Sequence, residues 1–131
     1  MAILKRTLII TTMLALLSSA VPAHVFGWAF PCGGVGARVC NWLDSGWKNS
    51  QAGRDGSDST YVGDKYPNTN INVDNSASSL ANYYGSSDVT WHWEPNNQGI
   101  GLCADSGWGY TSLGLNNDMF SSHAVSGGGT C

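Results

Sequence analysis

The sequence predicts a small all-β fold, and three features of the chain favour it. Seventeen glycines, with many Asn, Asp and Ser residues, interrupt the 131-residue chain, so no stretch beyond the amino-terminal segment sustains the apolar spacing of a three-turn helix. Alternating apolar positions instead indicate strands at 89–93, at 100–104 and, more weakly, at 71–73. The third feature is an internal duplication, which limits the possible folds more strongly than residue propensity does.

The first 23 residues have the pattern of a secretory signal peptide. Lys5 and Arg6 are followed by an uncharged, largely apolar run of eleven residues and then by small residues that end at Ala23. The run is well short of the ~20 residues of a membrane-spanning helix. We therefore expect residues 1–23 to be removed, the protein to be secreted to the extracellular space, and residues 24–131 to form one domain.

The charge of the mature chain excludes two classes of partner. Residues 24–131 contain four basic residues against nine acidic ones, a formal net charge of 4 − 9 = −5. A negative surface repels phosphate backbones and anionic headgroups, so we expect neither nucleic acid nor a membrane as a partner. We also expect the protein to be a monomer.

All four cysteines, Cys32, Cys40, Cys103 and Cys131, lie in the mature part of the chain. An even number in an oxidising compartment predicts two disulfides, and three pairings are possible. Because Cys32 and Cys40 are close in sequence and joined by a glycine-rich segment, local closure favours the pairs Cys32–Cys40 and Cys103–Cys131. Zinc is the competing interpretation, although the chain has no C-x-x-C or H-x-x-x-H spacing to hold it.

The two halves of the mature chain repeat one order of elements. The first half contains VCNWLDSGW, a polar insertion and VDNSASSLANYY, and the second contains VTWHWEPNN, GLCADSGWGY and NNDMFSSHAV. Val39 aligns with Val89 at an offset of fifty positions, and Ser79 aligns with Ser122 at an offset of forty-three. The polar stretch at 49–60, which is part of the insertion, is expected to be an exposed loop between strands.

Each half closes with two Asn or Asp residues, two free positions and two serines, at 74–79 and at 117–122. In this pattern the chain resembles the βγ-crystallins, in which such a segment recurs once per motif. The resemblance implies a βγ-crystallin-like double Greek key sandwich of two motifs, and the cysteine count adds two disulfides. We expect two four-stranded sheets around a core of Val, Ile, Leu and Trp, with Ser79 and Ser122 holding folded hairpins.

The order of short motifs is also similar to that of the actinobacterial peptidase-inhibitor family typified by the Streptomyces metalloproteinase inhibitor. The shared motifs are CGGVGARVC, SSLAN, GIGLCAD and ND-x-x-SS. This resemblance implies a secreted metalloprotease inhibitor whose partner is an extracellular protease. The inhibitory loop then corresponds to Cys103 followed by Ala104, and a disulfide-tethered loop binds with little ordering cost.

The closing segments suggest a second hypothesis, a calcium-binding extracellular module without a protease target. Carboxylate, amide and hydroxyl oxygens are the ligands that Ca²⁺ takes. The candidate ligands are Asp74, Asn75, Ser78, Asn117, Asp118 and Ser121. The alternative is that these residues cap turns through their own backbone.

Six tryptophans suggest a third hypothesis, an antimicrobial or cell-wall glycan-binding protein. Trp91 and Trp93 alternate with Val89 and are expected in the core. Trp47 and Trp108 each follow a glycine in an SGW sequence, and we place them at equivalent turns of the two halves. Both are candidates for an exposed platform on which a sugar could stack.

Catalysis has little support in the sequence. The chain has no G-x-S-x-G or similar nucleophile context and no evident pair of carboxylates, so we do not expect an enzyme. If cleavage follows Ala23, the new amino terminus is His24, and a terminal amine with its imidazole can chelate copper. Such a site would need a second histidine, either His92 or His123.

Overall fold

The structure is a computed structural model that describes residues 21–24, 32, 37–129 and 131. Two three-residue 3₁₀ turns, Pro95–Asn97 and Gly114–Asn116, interrupt an otherwise all-β chain within these residues. The eight strands are β1 (Val21–His24), β2 (Val39–Asp44), β3 (Lys48–Arg54), β4 (Ser79–Asn82), β5 (Ser87–Glu94), β6 (Gln98–Ala104), β7 (Trp108–Ser112) and β8 (Ser122–Gly127).

Two antiparallel sheets are built from elements that the two halves exchange. The strand orders are β1-β7-β4-β2-β3 in one sheet and β6-β5-β8 in the other. β7 belongs to the second half but pairs with β4 of the first half, where Leu80 lies opposite Tyr110. Asp58 belongs to the first half but forms a bridge with His123 in β8. The third element of each half therefore joins the sheet of the other half, as a double Greek key requires.

The expected division into four and four strands is wrong. One sheet has five strands because β1 adds an edge beside β7, and the other has three. The first-half element that would be its fourth strand is reduced to the bridge at Asp58. This element is part of the sequence GSDST, which has no apolar side chain to bury against the sheet.

The amino-terminal prediction falls largely outside the described residues, because residues 1–20 are not among them. The expected cleavage point after Ala23 lies within β1, and cleavage there would leave β7 as the edge of its sheet. Signal-peptide removal stays a prediction. The described residues include no helix that is long and apolar enough to cross a membrane.

The stretch at 49–60 is not a loop throughout, because residues 49–54 belong to β3. An edge strand needs few apolar residues, and here Ala52 alone is buried, next to β2. Gly53 is required at this edge, since a Cβ atom there would lie 2.0 Å from the carbonyl oxygen of Cys32. The weaker strand expected at 71–73 is also absent, and an isolated bridge joins Asn72 to Lys65 instead.

The two disulfides are Cys32–Cys40 and Cys103–Cys131, which confirms the pairing favoured by sequence proximity. All four cysteine sulfurs are bonded, so the zinc interpretation is excluded. Two disulfides in a small domain are typical of proteins from an oxidising compartment.

The core lies between the two sheets, and aromatic side chains fill more of it than the sequence suggested. Trp91 is fully buried, and its indole N–H donates to Asn41 Oδ1 at 2.9 Å. The expected isoleucines are absent, since Ile71 and Ile100 are exposed. The larger members of the core are Val39, Tyr61, Tyr66, Val73, Leu80, Val89, Trp91, Leu113 and Phe120.

Two buried serines hold the folded hairpins, as the sequence predicted. Ser79 Oγ donates to the carbonyl oxygen of Asp44 at 2.6 Å and accepts the backbone N–H of Trp47 at 3.1 Å. Ser122 Oγ makes the same pair of bonds to Glu94 and Asn97, at 2.6 and 3.1 Å. We call each arrangement a serine lock.

His123 attaches the exchanged first-half element to β8. The ring is buried, Nδ1 lies 2.6 Å from Tyr61 Oη, and Nε2 lies 2.8 Å from the carbonyl oxygen of Gly56. Because a carbonyl can only accept, the proton sits on Nε2 and the tyrosine hydroxyl donates to Nδ1. Burial lowers the pKa of His123 to about 4.

We predict that Ser79→Ala and Ser122→Ala each lower the free energy of unfolding by about 2 kcal/mol, because each removes a buried hydroxyl that makes two hydrogen bonds to the backbone of its hairpin. Denaturant unfolding measures the change. Ser45→Ala, at an exposed serine of the first hairpin, is the matched control and should change stability by less than about 0.5 kcal/mol. Equal effects at the three serines would contradict the serine lock.

We predict that protonation of His123 destabilises the fold in acid. The pKa is about 6.5 when unfolded and about 4 when folded, so the contribution of the neutral imidazole is complete above pH 6.5 and is lost as the pH falls to 4. The loss amounts to about 3 kcal/mol. It is measured as the difference in unfolding free energy between the wild type and His123→Gln across this range. A pH-independent difference would refute the assignment.

Candidate metal centre between the acidic segments

The two closing segments, which we call the first acidic segment (74–79) and the second acidic segment (117–122), lie side by side. The backbone N–H of Asn75 donates to the carbonyl oxygen of Phe120 at 2.9 Å. In return, the N–H of Asp118 donates to the carbonyl oxygen of Ala77 at 3.1 Å. Asn75 and Ala77 align with Asp118 and Phe120 at the same offset of forty-three, so the two bonds are related by the internal symmetry of the fold.

The second position of each segment has a left-handed backbone. The φ angle is 51° at Asn75 and 57° at Asp118. Asn and Asp tolerate this conformation better than other residues with a Cβ atom. The Asn/Asp preference at these positions therefore has a conformational cause, which agrees with the turn-capping alternative and does not exclude a metal.

Side-chain oxygens from both halves meet at this pairing. The hydroxyl of Ser121, a buried residue, donates to Asn75 Oδ1 at 3.3 Å, and Asn75 Nδ2 donates to Asp74 Oδ2 at 3.3 Å. The other carboxylate oxygen, Asp74 Oδ1, is buried and has no hydrogen-bond partner among the described residues. An unpaired buried carboxylate oxygen is costly, and a bound cation would remove that cost.

The remaining candidate ligands lie in the same two segments. The backbone N–H of Ser78 donates to Trp42, and Asn117 is exposed and caps the preceding 3₁₀ turn through its backbone. Asp118 is exposed, and its charge acts on Tyr66, whose pKa is raised to about 12 mainly by burial. Direct side-chain contacts thus join Asp74, Asn75 and Ser121, while the metal role of all six residues stays a prediction.

The oxygen set fits calcium better than a transition metal. Amide, hydroxyl and carboxylate oxygens are hard ligands of the kind that Ca²⁺ binds in groups of six to eight. Each acidic segment contributes one carboxylate, Asp74 or Asp118, so the affinity expected from charge is modest. In contrast, both ring nitrogens of His123 are engaged in hydrogen bonds, which removes this histidine from the copper alternative.

The residues proposed for an inhibitory loop lie in a strand. Cys103 and Ala104 are the last two residues of β6, opposite Thr90 and Val89. Ala104 is 3% exposed, so its side chain is not available to enter a protease pocket. The strand continues to Ala104 because Val89 pairs with it in the core, and a tight turn rather than a protruding loop follows.

The two SGW tryptophans do not occupy equivalent positions, which corrects the sequence-based placement. Trp47 lies at the tip of the β2–β3 hairpin, whereas Trp108 begins β7. The structural counterpart of Trp47 is Asn97, which has the same contact with its serine lock. Trp47 packs against Trp42 with its indole N–H bonded to Leu80, while Trp108 is 40% exposed.

The sequence did not indicate that Asp105 and Tyr110 lie near Trp108 around a cavity, or that Tyr61 and Gly56 would bond a buried His123. The duplicated tetrapeptide DSGW, at 44–47 and 105–108, was the available signal for the first group. This signal was misleading, because the same four residues occupy different structural positions in the two halves. No local pattern marks the second group.

No protein-family model and no curated protein matches the chain. Solved structures do. One is described as "Evolution of the eye lens beta-gamma-crystallin domain fold", with a TM-score of 0.60 and 13% identity over 83% of this chain and 98% of that one. A βγ-crystallin domain from Flavobacterium johnsoniae has a TM-score of 0.54 and 19% identity, over 71% of this chain and 98% of that one.

A βγ-crystallin domain from Clostridium beijerinckii is similar with a TM-score of 0.52 and 17% identity, covering 68% of this chain and 97% of that one. Likeness at these identities establishes the fold and nothing finer. The chain has the βγ-crystallin double Greek key fold, in agreement with the exchanged elements and serine locks described above. The finer resemblance to peptidase inhibitors is not established by these comparisons.

Proposed function

We propose that the protein is an extracellular calcium-binding module that acts by binding rather than by catalysis. The observation that carries the proposal is the contact between Asn75 Oδ1 and Ser121 Oγ, two oxygens from opposite halves that lie 3.3 Å apart. The Ser121 hydroxyl donates a hydrogen bond to the amide oxygen of Asn75, and this bond holds the two oxygens close enough together to bind one cation. Asp74 Oδ1, buried without a partner among the described residues, supports the same interpretation.

Internal symmetry extends the proposal to a pair of sites. Asn75 and Ser121 correspond to Asp118 and Ser78 in the repeat, so any ligand set built on the first pair has a counterpart built on the second. With one carboxylate in each segment, we expect dissociation constants of about 10⁻⁴–10⁻³ M, the range of extracellular calcium modules. Calcium would then stabilise the domain in a calcium-rich medium.

We predict that calcium at tenfold its dissociation constant raises the free energy of unfolding by about 1.4 kcal/mol per site, or several degrees in Tm. Asp118→Asn should reduce this rise by at least half, because it removes a charge and keeps a residue that tolerates the left-handed backbone. Calorimetric titration and thermal unfolding, with and without calcium, make the measurement.

Asp55→Asn is the matched control, since Asp55 is an exposed aspartate that pairs with Arg38 and belongs to neither acidic segment. It should leave the calcium response unchanged. Absence of heat together with an unchanged Tm in the wild type would refute calcium binding. An equal loss in Asp118→Asn and Asp55→Asn would indicate a general charge effect rather than these sites.

A second candidate function, metalloprotease inhibition, is supported by the character of β6. This strand lies at the edge of its sheet, contains no charged residue and exposes Ile100 to 59%. An uncharged strand at the edge of a sheet can form backbone hydrogen bonds with an added peptide strand. An extended inhibitor segment could form the same kind of backbone hydrogen bonds with the cleft of a protease. Inhibition would then use residues 98–102 rather than Ala104.

If the protein inhibits, we predict that Ile100→Lys weakens inhibition of a thermolysin-like metalloprotease by at least about tenfold, because it places a charge at the paired edge. The rate of peptide hydrolysis at increasing protein concentration measures this. Leu115→Lys changes an equally exposed side chain away from β6 and should inhibit normally. Unchanged hydrolysis at high excess of the wild type would end the inhibitor hypothesis.

A further inference from the structure

A small cavity lies where β6 ends and β7 begins, apart from both acidic segments. Its volume is about 250 Å³, and its walls are formed by Cys103, Ala104, Asp105, Trp108, Gly109 and Tyr110. Pockets for drug-sized ligands measure about 300–1,000 Å³. This cavity therefore suits a ligand of one ring, or one ring at the end of a longer chain.

The chemistry of the walls is aromatic on one side and anionic at the rim. Trp108 is 40% exposed, while Tyr110 is partly buried and donates its hydroxyl to the carbonyl oxygen of Cys103 at 2.5 Å. Burial raises the pKa of Tyr110, and the charge of Asp105 acts in the same direction, which places that carboxylate close to the ring. Asp105 itself is exposed, so its oxygens can accept hydrogen bonds from a ligand.

Buried polar side chains fix the turn that carries these groups. Asn82 is fully buried, and its Nδ2 donates to the carbonyl oxygens of Ala104 and Asp105 at 3.0 and 3.1 Å. The N–H of Ser106 donates to the buried Asp88, and its hydroxyl donates to Tyr84 at 2.8 Å. A turn held in this way keeps Asp105 and Trp108 at a constant separation, which lowers the ordering cost of binding.

We propose that this cavity binds a single neutral pyranose ring, such as a terminal unit of an extracellular glycan. A pyranose presents an apolar C–H face, which can stack on Trp108, and a rim of hydroxyl groups, which can donate to the Asp105 carboxylate. Trp47, the other platform candidate, is partly buried and packs on Trp42, whereas Trp108 is 40% exposed. The site shares no residue with the proposed calcium ligands.

A cation is the competing ligand, because the carboxylates of Asp88 and Asp105 lie within 4.8 Å of each other. The neutral sugar is favoured for two reasons. Asp88 is 1% exposed and already accepts the N–H of Ser106, so Asp105 alone faces a ligand. The tryptophan face is also a single wall rather than the cage that recognises ammonium groups.

The test is a nuclear magnetic resonance titration of the full chain with glucose, N-acetylglucosamine and choline, following the indole N–H signals. We expect a saturable shift of the Trp108 signal with at least one sugar, and none with choline. Trp108→Ala should weaken that binding by about five- to tenfold, followed through backbone signals of the β6–β7 turn, whereas Trp108→Phe should largely retain it. Calcium binding should be unaffected in both variants.

Asp105→Ala provides a second variant that leaves the aromatic wall in place, and it should also weaken sugar binding. Thermal unfolding of each variant shows whether the fold is intact. The proposal is overturned if no sugar shifts the Trp108 signal, if choline shifts it and the sugars do not, or if folded Trp108→Ala and Asp105→Ala bind the sugar as the wild type does. Failure of calcium binding would leave this result untouched.

Discussion

The rest of the structure depends on one buried hydroxyl at the end of each acidic segment. Ser79 and Ser122 are fully buried, and each satisfies both a carbonyl oxygen and an N–H of its own folded hairpin. Each hydrogen bond of this kind contributes about 0.5–1.5 kcal/mol to stability. Since the serine is also the first residue of β4 or β8, the lock fixes where the closing strand begins and places the acidic segment immediately before it.

Exchange of the third element joins the two locked halves into one core. The N–H of Gly46 in the first hairpin donates to Thr111 of β7, and the N–H of Asn96 in the second hairpin donates to Ser59, both at 2.6 Å. Each hairpin is thus held by its own serine and by an element of the other half. Neither half has a complete sheet alone, which is why the acidic segments meet and can form a shared site.

The sequence predicted the features that depend on local pattern or repetition: the all-β class, the two disulfides, the serine locks and the strand at Val89. Sequence-based prediction failed where the structure of a segment depends on its tertiary partners. The polar residues of β3 form a strand because β2 supplies a pairing edge, and nothing in their own pattern shows this. The two DSGW sequences diverge because Ser79 holds one at a hairpin tip, while Asn82 and Asp88 hold the other between β6 and β7. Of the six candidate calcium ligands, the sequence predicted the segments but not which side chains would touch.

The internal symmetry also implies that the two proposed calcium sites are unequal. Asn75 and Asp118 occupy equivalent left-handed positions, but the first is neutral and the second carries a charge. One position earlier, the first acidic segment has the charged residue, Asp74, and the second has the neutral residue, Asn117. A site built on Asp118 and Ser78 therefore has an anionic ligand at its second position. A site built on Asn75 and Ser121 obtains its charge only through Asp74, whose Oδ2 is already bonded to Asn75. Because calcium affinity follows ligand charge and rigidity, the different residues at these two positions of the repeat would give the two proposed sites different affinities for calcium.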